Sequence, residues 1–470
     1  MTAQTILPAN TLSSGFDVAN SLMFNDGDND YLNKTPAGDG SRIKWTWSGW
    51  VKRCSLGHQP IFSTPGNSGN IYDEFYFNST DKIQYSAVVS GTQYALRTAR
   101  QFRDTNAWYH IVLIFDSNNG TAGDRMQLWV NGVRTVEADF EDTTFKDAQN
   151  YNSATNKASY VTYIGRVSTN TAAYFDGYMA EVVFQNDNAD SPVDKFGEFD
   201  SDSAIWKAKN VSGSATGTNA FYLDFEDSSD LGNDAAGSNN WSSNNLAATD
   251  QSTDTPTNNF MTLNPLASDS GVTLSEGNVE SDYDASVGNA KGSMGLTRGR
   301  WYWEVKIINA ASYYPMIGIG SMNEDQMTNP TGGSYPGGFT DSYGVYGNSL
   351  RHYANGVNEG NQGDNYGTGD IFGIYLDLES GTKTIKWYKN GSQVLSDDIV
   401  NAGVDYPYTC MDYNGGEGAV NVGYNFGGTP GFAISSGNSD DNGYGNFEYS
   451  PNISSTKYYA VCTKNLAEFG

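Results

Sequence analysis

Two stretches, QLWVNGVRTV (127–136) and IKWYKNGSQV (385–394), each carry an alternating run of aromatic and aliphatic residues that halts at Asn-Gly and then resumes. A type I′ turn needs φ > 0 at both central residues, and Asn-Gly adopts that conformation at little steric cost. Before the first turn Met126, Leu128 and Val130 fall on one face, with Gln127 and Trp129 on the other. Before the second, Ile385 and Trp387 share a face, with Lys386 and Tyr388 opposite. A period of two is a strand, not a helix. The same hairpin, placed twice and far apart, is either an ordinary hairpin met twice or the mark of one position in each of two related β-sandwich modules.

The rest of the chain is consistent with the second reading. Short strands such as WTWSGWVKR, EFYFNS, WYHIVLIFDS and YFDGYMAEVVFQ follow one another between residues 17 and 195, separated by turn residues. SPVDKFGEF (191–199) predicts one helical turn with Ser191 as cap and Pro192 at its first position. Residues 196–260 are dense in Ser, Asn, Asp and Gly, with one strand in AFYLDFED, and predict a polar linker. A second strand set runs from 261 to 430, including GRWYWEVKIIN and DIFGIYLDLES. Residues 1–16 predict an N-terminal arm, and 431–470 a Gly/Asn-rich tail with a possible last strand in KYYAVC. The expected fold is all-β, two antiparallel jelly-roll-like sandwiches in tandem. At 470 residues the chain has the length of roughly three ~150-residue domains.

Charge and chemistry narrow the function. A formal net charge of −27 repels phosphates and anionic lipid, so nucleic acid and bare membrane are not expected partners. The opening MTAQTILPAN has no signal-peptide pattern, and no run is long and apolar enough to insert in a bilayer. Three distant cysteines, Cys54, Cys410 and Cys462, form neither a disulfide framework nor a zinc site. No Gly-x-Ser-x-Gly appears. His110 lies mid-strand in an apolar run, where a structural role is expected.

Several of these strands carry a family resemblance. WTWSGWVKR, WYHIVLIFD, LWVNGV, YIGR and FDGYMAEVVF resemble, in order and spacing, the laminin G-like group of concanavalin A-like lectins and glucanases. GRWYWEVKI, IGIG, GDIFGIYLDLESGTKTIKWYKNG and VNVGYNF resemble a SPRY domain. The two together resemble proteins encoded by marine tailed bacteriophages. That resemblance implies a virion-surface structural protein (fibre, tail or head appendage or decoration) made in the host cytoplasm. It also implies a homo-oligomer contacting other virion proteins and host-surface polysaccharide, although no heptads support a coiled-coil trimer. The competing readings are a purely architectural decoration and a glycan depolymerase.

Glucanase relatives use a Glu-x-Asp-x-x-Glu strand to put paired carboxylates in one cleft. Here Glu198 and Asp200 are followed by Ser203 where the second Glu is needed, and Asp224, Glu226 and Asp227 have the wrong spacing. Glu181 and Glu304 stand singly on strands. No enzyme is expected. Sugar binding needs flat aromatic faces and polar groups on rims. The segment 329–356 offers Tyr335, Phe339, Tyr343, Tyr346, Arg351, His352 and Tyr353 as glycan contacts, with the sandwich core as the alternative place for Tyr343 and Tyr346. Calcium at the rim of laminin G-like modules makes Asp116, Asn118, Asp124 and Asp176 candidate ligands, against the plainer reading of a polar hairpin loop.

Overall fold

A computed structural model describes residues 15–66, 71–89, 91–167, 173–187, 195–269, 271–283, 288–310, 315–320, 335–400, 408–413 and 420–470. All but the last two residues of the expected N-terminal arm, and the expected helical cap at Ser191 and Pro192, lie outside them. The chain divides into two compact units, the break falling between Thr257 and Asn258.

The first unit holds two eight-stranded antiparallel sheets. One runs Val133–Arg134, Met126–Val130, Tyr109–Asp116, Lys44–Arg53, Gly177–Asn186, Ser21–Phe24 and Gln251–Ser252, with Phe221–Leu223 also paired to Gly177–Asn186. The other runs Phe140–Asp142, Thr92–Gln101, Lys82–Val89, Ile71–Phe77, Gln59–Pro65, Thr162–Ile164, Tyr31–Lys34 and Ser242–Asn244. Alternation sends Trp45 and Trp47 inward from one sheet to meet Tyr85 and Phe75 of the other, with ring centroids 6.0 and 5.4 Å apart.

The expected linker at 196–260 is corrected by this fold. It pairs three short strands into the two sheets, and Phe221, Leu223, Phe225 and Trp241 join the sandwich core. Its earlier part lies over the outer face of Lys44–Arg53, where Trp206 and Ala208 pack with Trp50, Trp108 and Tyr178. There Lys52, with no exposed surface, pairs with Asp254 at 2.7 Å. Trp108 Nε1 donates to the other Asp254 oxygen at 3.0 Å. A strand ten residues long and buried on both faces needs such a cover, and polar composition hid it.

The second unit has a nine-stranded sheet with the path Val272–Ser275, Glu280–Tyr283, Val420–Asn425, Arg300–Asn309, Ile371–Asp377, Thr384–Lys389, Ser392–Gln393. Its companion of five strands runs Val357–Asn361, Arg351–Ala354, Tyr343–Tyr346, Met316–Gly320, Tyr408–Tyr413. Trp301, Trp303, Ile317, Val345, Trp387 and Val422 fill its core. The region expected as a tail is also part of the unit. Tyr459–Ala460 pairs parallel beside Trp301 and Tyr302, and Thr463–Phe469 is a short helix. Glu304, fully buried, accepts from the Glu448 and Tyr449 backbone N–H, the Tyr302 hydroxyl and Asn425 Nδ2 at 2.7–3.1 Å.

Both Asn-Gly hairpins form as expected, with φ of 49° and 74° at Asn131 and Gly132, and 50° and 77° at Asn390 and Gly391. Each Asn carboxamide accepts from a backbone N–H at the start of the strand before the hairpin, His110 N at 2.8 Å and Ile371 N at 2.9 Å. In each unit the hairpin leads through that strand to the central one, Lys44–Arg53 or Arg300–Asn309, and then to a late strand, Gly177–Asn186 or Val420–Asn425. The repeated motif therefore marks one place in one frame, used twice.

Among the described residues no helix is long and apolar enough to cross a membrane.

Candidate functional site

The structure divides the seven expected glycan contacts by strand parity. Tyr343 points into the core of the second unit. His352 does the same, and its Nε2 sits 2.9 Å from Asp398, which also accepts from Trp387 Nε1 at 3.1 Å. Phe339 is buried. These three are corrected to structural roles: alternate residues of a strand face opposite ways, which turns Tyr343 and His352 inward, and Phe339 is buried in the loop before that strand. Tyr346, Arg351 and Tyr353 are half-buried on the opposite face, since register pairs Tyr346 with Arg351 and Gly344 with Tyr353. Arg351 Nε donates to Asn361 at 3.2 Å. Tyr335 joins them from a loop, edge-on to Tyr353 at 5.3 Å. That loop can lie down because Gly344 has no side chain; a Cβ there would stand 2.4 Å from Pro336 Cβ.

The four expected calcium ligands do not converge. Asp116 lies beside Lys44 at one end of the strand Lys44–Arg53, and Asp176 precedes Gly177, which pairs with Arg53 at the other end. Asn118 is exposed, and Asp124 pairs with Arg134 at 2.5 Å. Asp176 is buried. Among the described residues no group of three or more His, Cys, Asp or Glu is placed to hold a metal ion.

The catalytic candidates can be weighed the same way. Ser48 Oγ and His110 Nε2 are 3.0 Å apart, the spacing of a nucleophile and its base. However, Trp206 Nε1 points at His110 Nδ1 from 3.1 Å, and an indole N–H can only donate. The imidazole proton therefore sits on Nε2 and is given to Ser48, so the ring cannot take the serine's proton. Burial pushes the His110 pKa down to about 3. Glu181 occupies a β-bulge with φ of 52°, and burial pushes its carboxyl up to about 8, against a 2.8 Å hydrogen bond from the Tyr222 hydroxyl. A raised carboxyl near Asp224 and Glu226 has the electrostatics of a general acid. Its side chain lies under Tyr222, outside the two clefts described below. Glu198 and Asp200 both pair with Lys207 at 3.4 Å on an exposed hairpin.

Sequence reading missed the most concentrated aromatic feature. Tyr31, Tyr163 and Tyr174 come from three separate segments onto the outer face of one sheet of the first unit. Tyr31 lies 5.8 Å from Tyr163 and 6.1 Å from Tyr174. The Arg166 guanidinium stands among them, 4.8, 5.1 and 5.7 Å from the three ring centroids. All four side chains are half-buried. Register places Asn33 beside Tyr163, and Asn244 beside Tyr31, adding amides to the face. The quoted motifs YIGR and YFDGY contain three of these residues, but only their joint placement gives them a use.

A cleft of about 280 Å³ opens at the side of the same unit, floored by Leu96, Met126 and Phe145 and rimmed by the Asp124–Arg134 and Glu137–Lys146 pairs. A smaller notch lies between Lys34, Asn156, Asn219 and Trp241.

Two packed antiparallel sheets in each unit, with late segments folded back over them, define a tandem of lectin-like sandwiches. Residues 26–190 match the model of the concanavalin A-like lectin/glucanases superfamily, and residues 300–423 match that of the SPRY domain. The chain thus carries a match to a concanavalin A-like module followed by a match to a SPRY module. Among solved structures it is similar to a human SPRY domain, at 20% identity over 33% of this chain and 94% of that one, TM-score 0.27. It is also similar to a putative carbohydrate binding protein from Bacteroides ovatus, at 17% identity over 49% and 59%, TM-score 0.33. Domain 4 of a GH43 extracellular arabinanase from Geobacillus stearothermophilus, in complex with arabinotriose, matches at 21% identity over 33% and 66%, TM-score 0.25. A comparison with curated proteins gives no match.

Proposed function

We propose that the protein is a non-catalytic carbohydrate-binding protein whose lectin-like unit holds a saccharide on the face formed by Tyr31, Tyr163 and Tyr174. The observation that carries this reading is the convergence of three half-buried tyrosines on one face with amides beside them. Rigid aromatic rings offer pyranose rings contact area at low entropic cost, and amides suit hydroxyls. The four-residue cluster of Tyr335, Tyr346, Arg351 and Tyr353 in the SPRY unit is a second such face. The non-catalytic part of the reading rests on Ser48–His110 having the wrong tautomer and on Glu181 being sealed beneath Tyr222. The residues put forward for calcium do not converge, and the reading does not use the ion.

The biological setting that fits is the surface of a bacteriophage particle, with the protein a homo-oligomeric fibre, tail or head appendage that contacts host polysaccharide. The module order and the acidic charge favour it over a nucleic-acid or membrane role. A glycan array probed with the purified chain, with Ca²⁺ and with chelator, tests the core of the proposal. Saturable binding that Tyr163→Ala weakens at least tenfold is expected in both conditions. A folded protein that binds no saccharide would overturn it, and detection of the chain in purified virions by mass spectrometry would test the setting separately.

A further inference from the structure

We infer that the saccharide held on the tyrosine face is acidic, and that Arg166 reads its carboxylate or sulfate. The inference rests on the carbohydrate-binding reading above.

Arg166 differs from most arginines of the unit in what surrounds its guanidinium. Arg53 is fixed by Asp81 and by the carbonyls of Ser55, Gly57 and Phe102. Arg97 lies between Glu141 and Asp142, and Arg134 pairs with Asp124. Arg125 donates to the carbonyls of Asn119 and Lys146. Arg166 is positioned by ring faces instead: Tyr31, Tyr163 and Tyr174 stand around it, and its backbone is pinned by the Ser63 hydroxyl at 2.7 Å and by a bridge to Tyr174. Among the described residues no carboxylate forms an ion pair with it and no acceptor takes its N–H groups.

A guanidinium carries five N–H donors in a planar fork that matches a carboxylate or sulfate with two parallel hydrogen bonds. Stacking on aromatic faces orients the plane while leaving its edge for that use. Half-burial also matters, because an anion meeting the fork there is less screened than on open surface. The arrangement therefore offers ring faces to the sugar body and a fixed cationic edge to a substituent. A neutral sugar would leave that edge without an ionic partner. The net charge of −27 opposes an acidic polymer at long range, but at physiological ionic strength the Debye length of about 8 Å confines that repulsion to near neighbours. A site with its own cation is what an acidic protein needs to hold such a ligand.

The test uses the full chain and three oligosaccharide sets: oligogalacturonates, the same oligomers with carboxylates reduced to alcohols, and sulfated counterparts. Titration calorimetry should show the galacturonates or the sulfated set bound at least tenfold more tightly than the reduced set. Arg166→Gln should abolish that preference, bringing the acidic sets down to the affinity of the reduced set, and Arg166→Lys should retain part of it. Tyr163→Ala should weaken all three sets alike. Unchanged melting temperatures keep these results free of misfolding. Equal binding of acidic and reduced oligomers, or a preference that survives Arg166→Gln, overturns the role of Arg166 and leaves carbohydrate binding standing. A folded wild-type chain that binds none of the three sets, or any glycan of the array, overturns both.

Discussion

The central strands of the two units, Lys44–Arg53 and Arg300–Asn309, occupy the same place in the same frame and are finished differently. Each lies between a hairpin-bearing strand pair and a late strand, and each is covered by a later stretch of polar composition. In the lectin-like unit the cover is fastened by a buried ion pair, Lys52 with Asp254. In the SPRY unit it is fastened by one carboxylate, Glu304, which accepts from two backbone N–H groups of the cover, those of Glu448 and Tyr449, and from the neutral side chains of Tyr302 and Asn425 in the sheet. The hairpin glycines repeat the pattern. A Cβ on Gly132 would meet the Trp206 ring at 2.2 Å, and one on Gly391 would meet the Tyr449 ring at 2.9 Å. One frame can thus be closed either by opposed charges or by hydrogen bonds to a single charge, and the two solutions should fail in different ways.

The largest expected difference comes from neutralising each anchor at constant shape. Asp254→Asn leaves the Lys52 ammonium buried without its counter-charge, a loss of about 3–5 kcal/mol. Glu304→Gln keeps one acceptor oxygen for the backbone donors and should cost about 1–2 kcal/mol. Urea denaturation of each variant measures this, and equal losses would erase the distinction drawn here. Next come the turn glycines. Gly132→Ala combines a left-handed backbone with a close approach to Trp206 and should cost about 2–4 kcal/mol. Gly391→Ala has more room and should cost about 1–2 kcal/mol by the same denaturation assay.

A smaller effect separates the units by pH. Glu181 binds a proton up to about 8 in the fold against an ordinary 4.5, so its contribution declines as pH rises from 4.5 through 8. His110 is held neutral down to about 3 against an ordinary 6.5, so its contribution is lost as pH falls from 6.5 through 3. Between 4.5 and 6.5 the slopes of these two groups oppose and cancel each other. Stability of the lectin-like unit should then fall by about 2 kcal/mol from pH 6.5 to 8. Calorimetric melts of Glu181→Gln should lack the alkaline fall, and a wild-type curve flat to pH 8 would contradict the assignment. Least disruptive is Tyr353→Ala on the SPRY face, which should shift stability by under about 0.5 kcal/mol. Any effect on an array belongs to binding alone.

What sequence could reveal follows from how locally each feature is determined. The hairpins were legible because turn chemistry and alternation lie within ten adjacent residues. The covers were not, beyond the strand in AFYLDFED, because Trp206 and Trp241 are isolated aromatics in polar surroundings, each anchoring without a periodic pattern. Glu304 was visible as a structural carboxylate, but its partners Glu448 and Tyr449 were not. In the segment 335–353 parity alone separates Tyr343 and His352 from Tyr346, Arg351 and Tyr353, so half of that site was readable. Tyr31, Tyr163, Tyr174 and Arg166 required the three-dimensional fold, since no window of sequence holds all four.

The Lys52–Asp254 pair joins residues 202 positions apart, and this sets a timetable for synthesis. At about 5–20 residues per second a ribosome takes roughly 10–40 s to pass from one to the other. For most of that interval Trp50 lacks the cover that Trp206 and Ala208 supply, and the Lys52–Asp254 fastening waits for the last residues of the unit. Translation speed downstream of residue 190 should therefore govern how much of the protein escapes aggregation in the cell.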